Sequence, residues 1–155
     1  MTNTKKEQIV VLQDDREPEV QIMSDLQNWN VTFERKRLVC GDYVYKNLII
    51  ERKTMDDFCQ SILDKRMISQ TEKMREKQRE GCECFIIVIG RIKDRKIDIH
   101  ENCVLGKLCS LIYKHNIKVL MVDDEFQFLY CLRNLCDKYD FVNNEMSKMS
   151  KTNEN

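Results

Sequence analysis

At 155 residues, 42% apolar and 34% charged, the chain can bury a single core without disulfide or metal staples. It contains no apolar run near the roughly 20 residues a bilayer span needs, and its start, MTNTKKEQ, lacks the apolar stretch of a secretory signal. The 26 basic and 26 acidic residues cancel, which argues against a uniformly basic nucleic-acid binder and moves attention to where the charges sit.

Basic residues gather at Lys65, Arg66, Lys73, Arg75, Lys77 and Arg79, with Glu72 and Glu76 between them. Acidic residues gather at Asp14/Asp15/Glu17, Asp56/Asp57 and Asp123/Asp124/Glu125. The eight cysteines contain no C-x-x-C pair, so zinc is not indicated. Cys109 and Cys136 fall inside apolar helical patterns, where a thiol acts as a small hydrophobe. Reduced cysteines imply a reducing, intracellular compartment.

In chain order, Ile9–Leu12 reads as a strand ending in acidic residues. Pro18 suits a helix first turn, and Ile22, Met23, Leu26 and Trp29 give that helix an apolar face. The segment 31–39 alternates as a strand and Gly41 breaks it. The segments 42–46 and 48–53 read as two strands joined by a tight turn at Lys46-Asn47. Thr54 is placed as a helix N-cap, followed by a short helix with Met55, Phe58, Ile62 and Leu63 inward. The segment 67–80 reads as an exposed helix ended by Gly81. Phe85–Ile89 is a strand buried on both faces. Val104, Leu105, Leu108, Leu111 and Ile112 mark another helix, and 119–122 a further buried strand. A last helix carries Phe128, Leu129, Leu132, Leu135, Cys136 and Tyr139. Residues 143–155 are polar and unpatterned, so a frayed tail is expected there. The alternation of helices and strands predicts an α/β domain over 1–142, with a central mixed sheet covered on both faces.

The informative segment is 47–53. Alternate strand residues share a face, so Ile49, Glu51 and Lys53 lie on one side and Leu48, Ile50 and Arg52 on the other. A carboxylate and an ammonium thus sit side by side at the end of an apolar strand, and the hairpin brings Asp42 close to Glu51. Two carboxylates suit Mg²⁺, which takes few protein ligands and keeps several waters. A phosphodiester can complete that shell, and the ion acidifies a bound water. Lys53 can orient that water or stabilise charge at phosphorus. The competing reading is a surface Glu–Lys pair of little energetic value.

Gly41-Asp42-Tyr43 followed by Glu51-Arg52-Lys53-x-x-x-Asp57 resembles the G-D…E-R-K-x-x-x-D signature of the XPF-type (xeroderma pigmentosum group F) nucleases. That family is a branch of the PD-(D/E)xK restriction-endonuclease-like fold. Asp14-Asp15-Arg16-Glu17 resembles its D-x-R-E motif. Asp64-Lys65-Arg66 with Gln70 resembles its D-G-R…Q, with Lys65 where the family usually has glycine. The resemblance runs from Ile9 to about Gly90 and implies a three-layer α/β/α fold.

The resemblance further implies that Asp42, Glu51 and Asp14 hold or orient metal and that Lys53 acts on the attacking water. The expected cofactor is Mg²⁺, with Mn²⁺ able to substitute. Asp57 either supports the site or caps the helix with Thr54. Arg52 either pairs with a neighbouring acid or reaches DNA. Arg66, Gln70 and Lys73 share a helical face suited to phosphate contact. Arg16 and Glu17 form a supporting network. Together these imply a metal-dependent endonuclease acting on branched DNA, such as 3′ flaps or forks, in repair or recombination. A homo- or heterodimer and nuclear residence are implied as well. The chain ends without the tandem helix-hairpin-helix module that usually follows. A catalytically silent partner subunit is the alternative, and such subunits lose the acids or the lysine that this chain retains.

Overall fold

The computed structural model describes residues 8–18 and 30–152. The helix expected around Ile22–Trp29 lies outside them. Six strands are described: β1 (Ile9–Asp14), β2 (Val31–Lys36), β3 (Tyr43–Tyr45), β4 (Leu48–Thr54), β5 (Glu83–Ile89) and β6 (Lys118–Val122). The helices are α1 (Met55–Leu63), α2 (Arg66–Arg79), α3 (Glu101–Cys109) and α4 (Glu125–Thr152). A π-helical turn, Ser110–Lys114, extends α3.

The sheet order is β2-β1-β3-β4-β5-β6. β3 runs antiparallel to both its neighbours and the other pairings are parallel, so the sheet is mixed, as expected. Side chains alternate across it. Leu48, Ile50 and Ile87 join Phe128, Leu129, Leu132 and Cys136 of α4. Ile49, Cys84, Ile86 and Val88 join Met55, Phe58, Met67, Met74, Val104 and Leu108 from α1, α2 and α3. The result is the three-layer α/β/α architecture. Full burial of a side chain such as Phe128 contributes about 1.5–3 kcal/mol.

Four expectations need correction. The strand at 119–122 is not buried: Leu120 and Met121 expose 36% and 44% of their surface, because β6 is an edge strand of the sheet. Residues 143–152 are not frayed but continue α4; elongating a formed helix avoids the nucleation cost, and Glu145, Met146, Lys148 and Met149 are good helix formers. Leu63, Leu105, Ile112 and Cys109 are exposed, so the inward stripes of α1 and α3 are narrower than their patterns suggested. α2 is not wholly a surface helix, because Met67, Thr71 and Met74 are buried against β5 and α1.

Candidate metal and nucleic-acid site

The backbone puts Asp42 in place before its side chain acts. The Asp42 N–H donates to the Ile50 carbonyl at 3.0 Å, and its own carbonyl accepts from the Asp14 N–H at 2.8 Å. Gly41 makes the approach possible. Its φ is +78°, and a Cβ there would lie 2.5 Å from Ile49 Cγ2. Asp42 Oδ2 then accepts from the Arg52 N–H at 2.8 Å, between Glu51 and Lys53. The two carboxylates and the ammonium expected from the strand alternation are therefore brought together.

Lys53 is buried, and its Nζ donates to Ser61 Oγ at 3.2 Å. Ser61 in turn donates to the Asp57 carbonyl at 2.7 Å, so α1 anchors the lysine. The Asp57 N–H caps the helix through Thr54 Oγ1 at 3.1 Å, while the Asp57 side chain is exposed. Thr54 is the N-cap as placed from the sequence.

A third carboxylate joins the pair. Glu17 stands beside Asp42, and its buried Oε2 has no hydrogen-bond partner. Burial, reinforced by the negative charge of Asp42, pushes Glu17 up to about 7. Burial and the same neighbour push Glu51 up to about 7. Burial also raises Asp42, against the lowering effect of the Arg52 N–H. Crowded acids that resist ionisation are groups a cation would stabilise. A cavity of about 240 Å³ opens on Asp42 and Glu51, and Arg16, Cys40, Gln70 and Lys73 line it as well. Among the described residues no group of three or more His, Cys, Asp or Glu is placed so as to hold a metal ion. One or two carboxylates with water and phosphate completing the shell is the Mg²⁺ habit, so Asp42 and Glu51 fit that ion.

Of the other expected residues, Asp14, Arg16, Gln70 and Lys73 lie around this group, while Arg52 and Arg66 are engaged outside it. Asp14 lies near Asp42 and Glu51, whose ionisation its charge opposes, and its carboxylate is held by other groups. Its carboxylate accepts from Arg16 Nε and Nη2, both at 2.8 Å, from the Arg16 N–H at 2.9 Å and from the Leu38 N–H at 3.0 Å. The Arg16 guanidinium holds Asp14 far below the usual carboxylate range. Asp14 thus fixes the loop carrying Arg16. Arg52 pairs with acids of neighbouring elements, the first of the two roles expected of it. It points to the α4 layer, where it pairs with Glu125 through Nε at 3.0 Å and also through Nη2, and lies 3.9 Å from Glu17. Gln70 and Lys73 line the cavity, and Gln70 Oε1 is buried without a partner. Arg66 is not among the lining residues and pairs with Asp64 at 2.7 Å. Lys65, in the family's glycine position, adopts φ +64°. Sequence reasoning missed Ser61 and Glu125. Neither carries a motif, and only tertiary packing reveals them.

The ERCC4 domain profile matches residues 13–135, and the chain belongs to the ERCC4 domain family. It is 28% identical over 147 residues to the 3′-flap repair endonuclease Xpf of Saccharolobus solfataricus. It is 30% identical over 134 residues to a Methanocaldococcus jannaschii protein named as an ATP-dependent RNA helicase. Those alignments cover 94% and 86% of this chain but only 62% and 16% of the relatives' lengths. Among solved structures, XPF from Aeropyrum pernix superposes with a TM-score of 0.75 at 27% identity, covering 84% of this chain and 61% of that one. The same protein in complex with DNA gives 0.70 at 28% identity, covering 84% and 66%.

Proposed function

We propose that this chain is a magnesium-dependent DNA endonuclease that hydrolyses phosphodiester bonds at branched DNA. The observation that carries the reading is that Asp42 and Glu51 line one cavity with the buried Lys53 ammonium near enough to act electrostatically on both. Asp42 and Glu51 are the residues that would hold Mg²⁺. When bound, the ion supplies positive charge to the scissile phosphate and acidifies water. The Arg52 N–H fixes the Asp42 carboxylate, and β4 fixes Glu51 one residue away. Lys53, steadied by Ser61, orients the attacking water or stabilises charge developing on phosphate oxygen. Gln70 and Lys73 supply a donor amide and a cation to flanking phosphates. Glu17 sits behind Asp42 as a reserve acid.

The retained Lys53 and both acids favour an active enzyme over a silent subunit. Pairing with a second nuclease-fold subunit is part of the proposal, as is work within the cell nucleus. Met121, Phe126 and Tyr130 expose 44%, 48% and 55% of their surface along β6 and the start of α4, a suitable partner face. Light scattering at micromolar concentration should report a dimer, and a strict monomer would remove that part. The activity test is incubation with end-labelled flap, fork, nicked and linear duplexes in Mg²⁺ or EDTA. Metal-dependent cutting near the branch is expected. Cutting in EDTA, or cutting of linear duplex alone, would refute the reading.

A further inference from the structure

The strands β1, β4, β5 and β6 run parallel, so Asp14, Thr54, Ile89 and Val122 end at one edge of the sheet. Asp42, Glu51 and Lys53 stand at that edge. The segment leaving β5 there, Arg91–Lys96, reads R-I-K-D-R-K: four cations and one acid in six residues. No expectation drawn from the sequence assigned it a role.

The segment is latched to the site. Lys53 and Thr54 pair in register with Val88 and Ile89, and neighbouring strands lie about 4.8 Å apart. Gly90 then turns with φ +116° so tightly that a Cβ on it would meet Met55 Cβ at 3.2 Å. At the other end the Lys96 N–H donates to Asp56 Oδ1 at 2.9 Å. Both anchors lie in the first turn of α1, within three residues of Lys53. Inside the segment Arg95 donates to the Ile92 and Ile99 carbonyls at 2.7 and 3.0 Å. Arg91 pairs with Asp123 at 3.2 Å. Two cations therefore do structural work, and the exposed Lys93 and Lys96 ammoniums have no partner among the described residues.

We infer that Lys93 and Lys96 form a second phosphate-contact surface, on a different segment from Gln70 and Lys73, which grips the nucleic-acid backbone beside the cutting site. The inference rests on the proposed nuclease reading only in naming DNA as the ligand. A chain of zero net charge with an acid-rich centre needs local cations where a polyanion approaches. A rigid, basic loop fixed to the catalytic strand's own helix meets that need without ordering cost on binding. Point charges on lysine contact phosphate without reading bases, so the contact carries affinity and register rather than sequence preference.

The test is anisotropy of the whole chain with a labelled fork duplex in EDTA, over a salt series. Wild type is compared with the Lys93→Ala/Lys96→Ala double variant and with a Lys107→Ala/Lys114→Ala control on the α3 side. Each lost phosphate contact lowers the slope of log K against log salt by about 0.9. The double variant should therefore lose about 1.8 of slope and bind about ten-fold or more weakly at low salt, with control slope and thermal stability unchanged. An unchanged slope in the double variant, or an equal loss in the control, overturns the inference. A slope loss in a chain that does not cut DNA in Mg²⁺ refutes the nuclease reading and leaves this surface standing.

Discussion

Glu51→Gln should make the cation-free protein more stable while abolishing cutting, and the gain should depend on pH. Glu51 is pushed from 4.5 up to about 7, first by burial and then by Asp42. The folded protein therefore binds this proton more tightly than the unfolded chain does. Below pH 4.5 the group is protonated in both states and costs nothing. As pH rises through 7, stability is lost, and the loss is complete above 7. That displacement corresponds to roughly 3 kcal/mol as an upper bound. Sharing of charge with Asp42 and Glu17, together with partial solvation, brings the expected gain at pH 8 to about 1–3 kcal/mol. For a chain of this size the melting temperature should rise by about 2–12 °C at pH 8 and by only about a quarter as much at pH 5. The assay is thermal unfolding by circular dichroism in EDTA at both pH values. A lower melting temperature at pH 8, or an equal rise at both pH values, would refute the electrostatic reasoning.

Further expectations follow from single contacts. Lys65→Gly should stabilise by about 0.5–1 kcal/mol, because a side chain at φ +64° is strained and the opposing gain in unfolded-state freedom is smaller; chemical denaturation midpoints would measure it. Gly41→Ala should destabilise by roughly 2 kcal/mol or more, since its Cβ would meet Ile49 at 2.5 Å, and should depress cutting by displacing Asp42; normal stability with normal cutting would contradict the close approach. Arg52→Ala should cost about 3 kcal/mol by leaving Glu17 and Glu125 without their cation. Arg52→Lys should recover only part of that loss, because one ammonium cannot reproduce the two-pronged pair with Glu125. Equal urea midpoints for Arg52→Ala and wild type would remove Arg52 from its assigned place.

Period-two alternation in 48–53 sufficed to put Glu51 and Lys53 on one face and Arg52 on the other, because a regular strand leaves no other choice. The tight hairpin at Lys46-Asn47 sufficed to bring Asp42 near them. Alternation does not say which helix layer covers each face, so Glu125 as the partner of Arg52 was not legible. For Asp14 the motif gave the position but not the partners. Its carboxylate lies within the family pattern, yet Arg16 and the Leu38 N–H take its acceptor capacity. The third acid, Glu17, was visible as a motif letter, but its position against Asp42 depends on a loop folding back over the sheet edge. The continuation of α4 to Thr152 was masked because its polar residues lack the apolar stripe by which a helix is recognised in sequence.

The central claim is that Asp42 and Glu51 together seat a divalent cation beside Lys53. Anomalous diffraction from crystals grown with Mn²⁺ and uncut branched DNA tests it most directly. The account predicts an anomalous peak within bonding distance of both carboxylates, with a DNA phosphate on its open side and Lys53 Nζ close by. A peak at some other cluster, or phosphate seated at Asp42 and Glu51 with no metal in a complex that cuts when warmed, would contradict it.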